Sequence, residues 1–312
     1  MQFSAIFPGQ GSQSVGMLKE LAAAYPQIVD ATFTEASSLL DYDLWKLIQH
    51  GPPDELDRTQ FTQPAMLASG VAAWRVWVSL DAPQPHAMAG HSLGEFSALV
   101  AANALDLAQA TKLVSLRGEI MQRAVALGVG AVAAILGLDT DAVAAACAGA
   151  AQGQVVEPVN FNAPNQTVIA GHAEAVERTM QAAKASGAKR AVMLPVSVPV
   201  HSSLMSGAAQ QFAVEIDRLD MRMPDVPVVQ NLAATAYGSL EEIRSALRKH
   251  LDSGVRWSES VLAMQAMAGN TFIEFGPGKV LAGLCKRIDR SLIPGAADSP
   301  DSIDAALAML QA

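Results

Sequence analysis

Two spacings of apolar residues alternate along the chain. Short, mainly apolar runs stop at glycine or proline, and the stretches between them repeat their apolar residues every three or four positions. The first kind predicts strands buried on both faces, and the second predicts helices with one apolar stripe. Phe3 to Phe7 is such a run, and Pro8-Gly9-Gln10-Gly11-Ser12-Gln13 turns the chain from it towards a helix near Met17 to Tyr25. Thr62-Gln63-Pro64 predicts a helix start, with Thr62 as the cap and Pro64 in the first turn. That helix runs to about Leu80, with Trp74 and Trp77 towards the core, and Asp81 to Pro85 is a proline-broken loop. His86 to Ala89 predicts the end of a strand, and Glu95 to Ala102 the start of a helix. Leu107 to Ala124 is the next helix; Ala110, Leu113, Val114, Ile120, Met121 and Ala124 form its stripe.

The pattern changes near Gly128. Ala131 to Leu138 predicts a strand, Asp139 to Ala151 a helix, and Val155 to Phe161 and Thr167 to Ala170 two strands joined by an Asn-Ala-Pro-Asn turn. Ala173 to Ser186 follows as a helix and Ala191 to Val196 as a strand. This order, β-α-β-β-α-β, is that of a ferredoxin-like module. It places a small subdomain at residues 127–197, inserted into a large domain made of residues 1–126 and 198–312. Beyond it, Val226 to Gln230 and Thr271 to Phe275 predict strands, and Leu240 to Leu251 and Lys279 to Arg290 predict helices. The expected fold is therefore α/β: a large hydrolase-like domain with a mostly parallel sheet plus a small inserted ferredoxin-like subdomain.

Composition narrows the function. A chain of 312 residues that is 51% hydrophobic and 16% charged folds around a sizeable core. The net charge of −9 argues against a nucleic-acid partner, which needs a basic face. Two local basic groups, Lys184 with Lys189 and Arg190, and Lys286 with Arg287 and Arg290, are either solvated surface or a face for an acidic partner. Cys147 and Cys285 lie far apart in apolar surroundings, which predicts buried free thiols. Neither Cys-x-x-Cys nor His-Glu-x-x-His occurs, so no metal is expected. With no signal-peptide pattern and no apolar stretch of membrane-spanning length, a soluble cytoplasmic protein is expected, with no membrane partner.

Candidate chemistry centres on Gly90-His91-Ser92-Leu93-Gly94, a Gly-x-Ser-x-Gly segment between a predicted strand and a predicted helix. Such a turn exposes a serine hydroxyl beside the N–H groups that open the helix, and the Leu93 N–H is a natural oxyanion donor. A hydroxyl needs a base, and His201, after the proline-stiffened Val198-Pro199-Val200, is preferred over His50, His86, His172 and His250. No carboxylate to orient that histidine is evident. Arg117 falls inside an apolar stripe, where a cation needs an anionic partner. Spacing leaves two partners open: a structural Asp or Glu, or the carboxylate of a ligand. The turn at Gly9 to Gly11 lacks the Gly-Lys-Ser/Thr of a P-loop and the third glycine of a dinucleotide site, so it is a tight turn or a cradle of N–H groups.

Seven segments occur in a telling order: Phe7-Pro8-Gly9-Gln10-Gly11-Ser12-Gln13, Thr62-Gln63-Pro64-Ala65, Gly90-His91-Ser92-Leu93-Gly94-Glu95, Arg117, Val159-Asn160-Phe161-Asn162, Val198-Pro199-Val200-His201 and Glu274-Phe275-Gly276-Pro277-Gly278. Together they resemble the malonyl-CoA:acyl-carrier-protein transacylase family over the whole chain. The resemblance implies a malonyl ester on Ser92, His201 as general base, and an oxyanion hole from the N–H groups of Gln10 and Leu93. It implies that Arg117 pairs with the free carboxylate of the malonyl group. Met121 and Val200 would line the acyl pocket, with Asn160 and Asn162 at the cleft between subdomains. The ring of His201 would be oriented by a backbone carbonyl, placed by position at Arg256. Val200 departs from the serine that relatives often carry there, and Arg256 from the glutamine of some. The implied reaction is ping-pong, from malonyl-CoA to the phosphopantetheine thiol of an acyl carrier protein, supplying fatty-acid elongation. No cofactor is implied, the partners are acyl carrier protein and malonyl-CoA or CoA, and a monomer is expected. The alternatives are a transacylase of a polyketide or malonate decarboxylase system, a serine hydrolase, or an acyl-CoA or carrier-protein binding module with a dead site.

Overall fold

The structure is a computed structural model that describes residues 2–126, 128–196 and 198–311. The two subdomain junctions expected at residues 127 and 197 lie outside the described residues, as do the chain ends, 1 and 312. Strands β1 (Ser4–Phe7) and β2 (Ala87–Gly90) come first. Then β3 (Gly130–Leu136), β4 (Val156–Ala163), β5 (Gln166–His172) and β6 (Arg190–Met193) form a sheet of their own. Next, β7 (Val228–Gln230), β8 (Thr235–Ala236), β9 (Thr271–Phe275) and β10 (Ile293–Ala297) return to the first two. The large sheet runs β10-β9-β1-β2-β7-β8. Every pairing in it is parallel except that of β7 with β8.

The short apolar runs make buried strands because alternate side chains feed two different cores. On one face, Ala5, Phe7, Met88, Val228, Ile273 and Phe275 join the larger core. On the other, Ile6, Ala87, Ala89, Val229 and Phe272 meet Trp257, Val261 and Leu284. Helices Thr59–Ser79, Gly94–Ala101 and Leu107–Ala124 supply the first core, and Trp257–Ala268 and Val280–Ile288 the second. In this sheet β1 and β2 are central neighbours, in register from Ser4 opposite Ala87 to Phe7 opposite Gly90. The turns that follow them, at Gly9 and at Ser92, therefore emerge side by side at the carboxyl edge, where open α/β sheets place their ligands.

The small sheet runs β4-β5-β3-β6, all antiparallel, with helices Thr140–Ala150 and Ala173–Ala185 in its chain order. That is the ferredoxin-like arrangement expected from the sequence. A parallel bridge joins Asn160 of β4 to Val255, with Phe161 N donating to Val255 O at 2.9 Å and Val255 N to Val159 O at 2.8 Å. The small sheet is thus stitched to the segment that leads into helix Trp257–Ala268.

Some elements differ from expectation. Thr62 does not cap a helix: the helix starts at Thr59, and the Thr62 hydroxyl donates back to the carbonyls of Leu56 (2.6 Å) and Arg58 (3.1 Å). Pro64 stands inside this helix. Burial on almost every side outweighs the local preference of the residue before a proline for extended backbone. The helix expected at Met17 to Tyr25 is Lys19–Ala24, followed at once by Pro26–Ser37. Helices Ser206–Arg218 and Pro300–Gln311 and strand β10 are not among the elements expected from the sequence, although Ile303, Ala306, Leu307 and Leu310 behind Pro300 and Ala208, Ala209, Phe212 and Ile216 form helical stripes. Ile-Pro-Gly-Ala-Ala is a poor strand by propensity, and its register against β9 at the sheet edge makes it one.

Candidate active site

Ser92 lies in the turn between β2 and helix Gly94–Ala101 with φ at 50°, left-handed backbone that a residue with a Cβ adopts at a cost. The glycines on either side supply room. A Cβ on Gly90 would come 1.8 Å from the carbonyl carbon of Gly94, and one on Gly94 would come 2.1 Å from Phe7 O. Asn231, next to β7, braces this turn from behind. Its Oδ1 accepts from Ser92 N (2.7 Å), its Nδ2 donates to Gly90 O (2.7 Å), and its own N donates to Glu95 Oε2 (2.8 Å).

The imidazole of His201 faces the serine, with Nε2 2.8 Å from Ser92 Oγ. Its Nδ1 lies 3.0 Å from the carbonyl of His250 and 2.9 Å from that of Ser253. Carbonyls only accept, so Nδ1 carries the ring proton and Nε2 presents its lone pair to the hydroxyl. This corrects the expectation for Arg256. The carbonyl of Arg256 instead accepts from the N and Oγ of Ser260, both at 2.9 Å, at the opening of helix Trp257–Ala268. The chain passes His201 earlier, in the loop that follows helix Leu240–Arg248. Two carbonyls thus occupy the place an acid fills in a hydrolase triad, and they orient the ring without adding charge.

His201 is buried, and burial, reinforced by the Arg117 charge, pushes its pKa down to about 3. The ring is neutral, and therefore a base, at every pH above that value. Covalent labelling of Ser92 by a fluorophosphonate should then show no inflection near pH 6.5 between pH 8 and pH 5, where a solvent-exposed histidine base would lose its activity. A labelling midpoint near 6.5 would contradict this dry setting.

The turn after β1 packs onto the serine turn. A Cβ on Gly9 would come 2.5 Å from His91 O and 3.8 Å from Leu93 N. Neither the Gln10 N–H nor the Leu93 N–H donates to a protein acceptor among the described residues. Beside Gln10 opens a groove bounded by Arg58, Thr59, Gln122, Val196 and Val198.

Arg117 is 1% exposed and reaches the serine from helix Leu107–Ala124. Its Nη1 donates to Gln63 Oε1 (2.8 Å), and its Nη2 to Ser92 Oγ (3.3 Å) and His250 Nδ1 (3.2 Å). Its Nε is buried without a partner. No carboxylate oxygen of a described residue lies within 4.0 Å of the guanidinium, so the structural pair left open by the sequence is not there. Glu95 acts on it only through space, and burial presses against the charge of both groups. An unpaired, desolvated guanidinium beside a nucleophile is a receptor for an anionic group.

The other expected residues divide. Met121 is buried, and its sulfur accepts from Gln63 Nε2 at 3.3 Å, which steadies the amide that holds Arg117. Val200 packs half-buried against the larger core. Asn162 Oδ1 accepts from His91 Nε2 at 2.7 Å, next to the serine. Asn160 forms the bridge to Val255, and its Oδ1 is buried without a partner and bonds to none of Ser92, His201 or Arg117. Sequence reasoning missed Asn231 and the side chains of Gln63 and His250. Gln63 stood inside a recognised segment, and its polar side chain in an otherwise apolar helix was the available signal. Asn231 and His250 follow ordinary elements and gave none. Among the described residues, no three His, Cys, Asp or Glu are grouped to hold a metal ion. No helix among the described residues is long and apolar enough to cross a membrane.

Such a constellation can form an ester on Ser92 and favours an acyl group that carries an anion. Comparison with known proteins points the same way. Residues 5–299 match the family model of the acyl transferase domain. The chain is 53% identical over 306 residues to the malonyl CoA-acyl carrier protein transacylase of Escherichia coli K12, covering 98% of this chain and 99% of that protein. Among solved structures, an acyl carrier protein S-malonyltransferase from Vibrio cholerae superposes with a TM-score of 0.95 at 52% identity, covering 98% of this chain and 99% of the other. A malonyl-transacylase solved in complex with a type II PKS acyl-carrier protein superposes with a TM-score of 0.97 at 50% identity, covering 99% and 100%.

Proposed function

This chain belongs to the acyl transferase family, and we infer from that membership and from the site that it is an acyl-carrier-protein S-malonyltransferase. It moves a malonyl group from malonyl-CoA to an acyl carrier protein. The observation that carries the choice of acyl group is Arg117, a buried cation with no protein carboxylate in reach, one hydrogen bond from the nucleophile.

In the first half-reaction Ser92 Oγ attacks the thioester carbonyl while His201 Nε2 takes its proton. The oxyanion forms against the N–H groups of Leu93 and Gln10, which are free to receive it. The C–S bond breaks, and CoA leaves as the thiol with the proton from His201. In the second half-reaction the phosphopantetheine thiol gives its proton to His201 and attacks the malonyl ester; the C–O bond breaks and His201 returns the proton to Ser92 Oγ, restoring the serine. Throughout, the malonyl carboxylate sits on Arg117, which offers nothing comparable to an acetyl group. Met121 and Val200 bound the acyl site, and Asn162 acts indirectly by fixing His91 behind the serine. The acyl-thioester arm approaches along the groove beside Gln10. Residues 128–196 serve as a subdomain forming one wall of the cleft. The enzyme acts as a monomer without a cofactor, in the cytoplasm, and feeds fatty-acid elongation.

Mixing the protein with malonyl-CoA, followed by intact-mass analysis, should show one malonyl adduct that maps to Ser92 and is discharged by acyl carrier protein. Release of free malonate with carrier protein present would make it a hydrolase, and an unmodified mass would make it a binding module.

A further inference from the structure

Arg117 is held by three neutral acceptors, and the side chains of two of them, Gln63 and His250, have no part in the mechanism above. We propose that the His250 side chain is a positioning residue that fixes the Arg117 guanidinium beside Ser92 and keeps it available to the substrate carboxylate. The inference rests on the malonyl-transfer reading.

The geometry is specific. His250 is 5% exposed and follows helix Leu240–Arg248. Its ring lies edge-on to Phe96 (5.2 Å between centroids) and to His201 (5.8 Å), which fixes the plane of the imidazole. A guanidinium can only donate, so the contact between Nη2 and Nδ1 at 3.2 Å requires an unprotonated Nδ1. The ring proton is therefore on Nε2, which lies 3.8 Å from Glu95 Oε2, and the backbone of Ser92 also faces the ring as an acceptor. Protonating the other nitrogen would set two cations against each other in a dry pocket, and burial and Arg117 both hold His250 neutral.

Two consequences follow for the substrate. First, Nη2 has its hydrogens directed at Ser92 Oγ and at His250, so the ring keeps the guanidinium turned towards the acyl site. Second, the ring spans the space between Arg117 and Glu95. It gives the guanidinium a partner without cancelling its charge. A carboxylate in that place would form a buried pair and leave the substrate nothing to neutralise. Gln63, held by Met121, does the same at Nη1.

The test must separate this role from that of the His250 carbonyl, which faces His201 Nδ1 at 3.0 Å. Loss of the carbonyl's hold on the base would slow all acyl groups alike, whereas loss of the side chain's hold on Arg117 would slow only an anionic one. His250→Phe keeps the bulk of the ring and removes the acceptor; His250→Gln restores an acceptor oxygen. With the full-length variants, KM and kcat are measured for Ser92 acylation by malonyl-CoA and by acetyl-CoA, and thermal melting checks the fold. In His250→Phe, KM for malonyl-CoA should rise by about 10- to 100-fold, the scale of one hydrogen bond to a charged group. The acetyl-CoA values should shift much less, so that the malonyl-to-acetyl ratio of kcat/KM falls, and His250→Gln should recover most of the malonyl preference. If His250→Phe does not fold, His250→Leu carries the same expectation. An equal fall for both acyl groups, or an unchanged malonyl KM, would overturn the proposal. Absence of a malonyl adduct on the unaltered protein would overturn the malonyl-transfer reading itself, and this inference with it.

Discussion

Arg117→Ala should lower malonyl transfer by about 10²- to 10⁴-fold while leaving acetyl transfer unchanged or raised. Two charge-assisted hydrogen bonds to a carboxylate in a dry site are worth about 3–6 kcal/mol, and each 1.4 kcal/mol is tenfold. The wild-type arrangement makes no such bonds within the protein, because its acceptors are an amide, a hydroxyl and an imidazole. The full difference is therefore available to the substrate. An acetyl group brings no anion and must sit beside a desolvated cation, so removing the cation lifts a penalty for it. The measurement is the ratio of kcat/KM for malonyl-CoA to that for acetyl-CoA. Equal losses for both would make Arg117 a structural residue. Arg117→Lys should fall between, since a lysine keeps the charge and cannot grip the carboxylate at two points.

His201→Ala should slow acylation of Ser92 by about 10²- to 10⁴-fold, the span of a positioned general base. The 2.8 Å contact with Oγ is already made without substrate, so no rearrangement has to precede proton transfer. Rapid-quench mass analysis of the malonyl-enzyme reports this step alone. An unchanged rate would remove His201 from the base role. Substitutions of Ser253 are expected to matter less, because only its carbonyl is used and the His250 carbonyl shares the task.

The fold was legible wherever periodicity was strong. Helix Leu107–Ala124 and strand β9 match the sequence reading to the residue, since a full apolar stripe leaves one solution for the helix and Phe272, Ile273 and Phe275 stopping at Gly276 mark a short strand. The order of the small sheet followed from alternating elements of ordinary length. Thr62 misled because its hydroxyl, a good cap in isolation, bonds instead to the preceding turn of a longer helix. In the site, Ser92, His201 and Arg117 each broke a local rule. One is a serine in a Gly-x-Ser-x-Gly turn, one a histidine behind a proline, and one a cation in an apolar stripe. Arg256 was misplaced because a carbonyl is carried by every residue and leaves no trace in the sequence. Asn231 was invisible for a related reason: its three bonds go to backbone or to a carboxylate remote in sequence, and only folding brings them together.

The brace at Asn231 also sets when during synthesis the enzyme can become active. His201 comes 109 positions after Ser92 and Asn231 comes 139 after it, and His250 comes 133 after Arg117. The turn that strains the serine is made early by the ribosome, and the groups that hold and activate it are made late. A chain halted between His201 and Asn231 carries nucleophile, base and guanidinium. It lacks the amide that accepts the Ser92 N–H and both carbonyls that set the imidazole. Nascent or clipped chains that end before Ser253 should therefore be silent towards malonyl-CoA, so that reactivity appears only after these late residues have folded onto the turn.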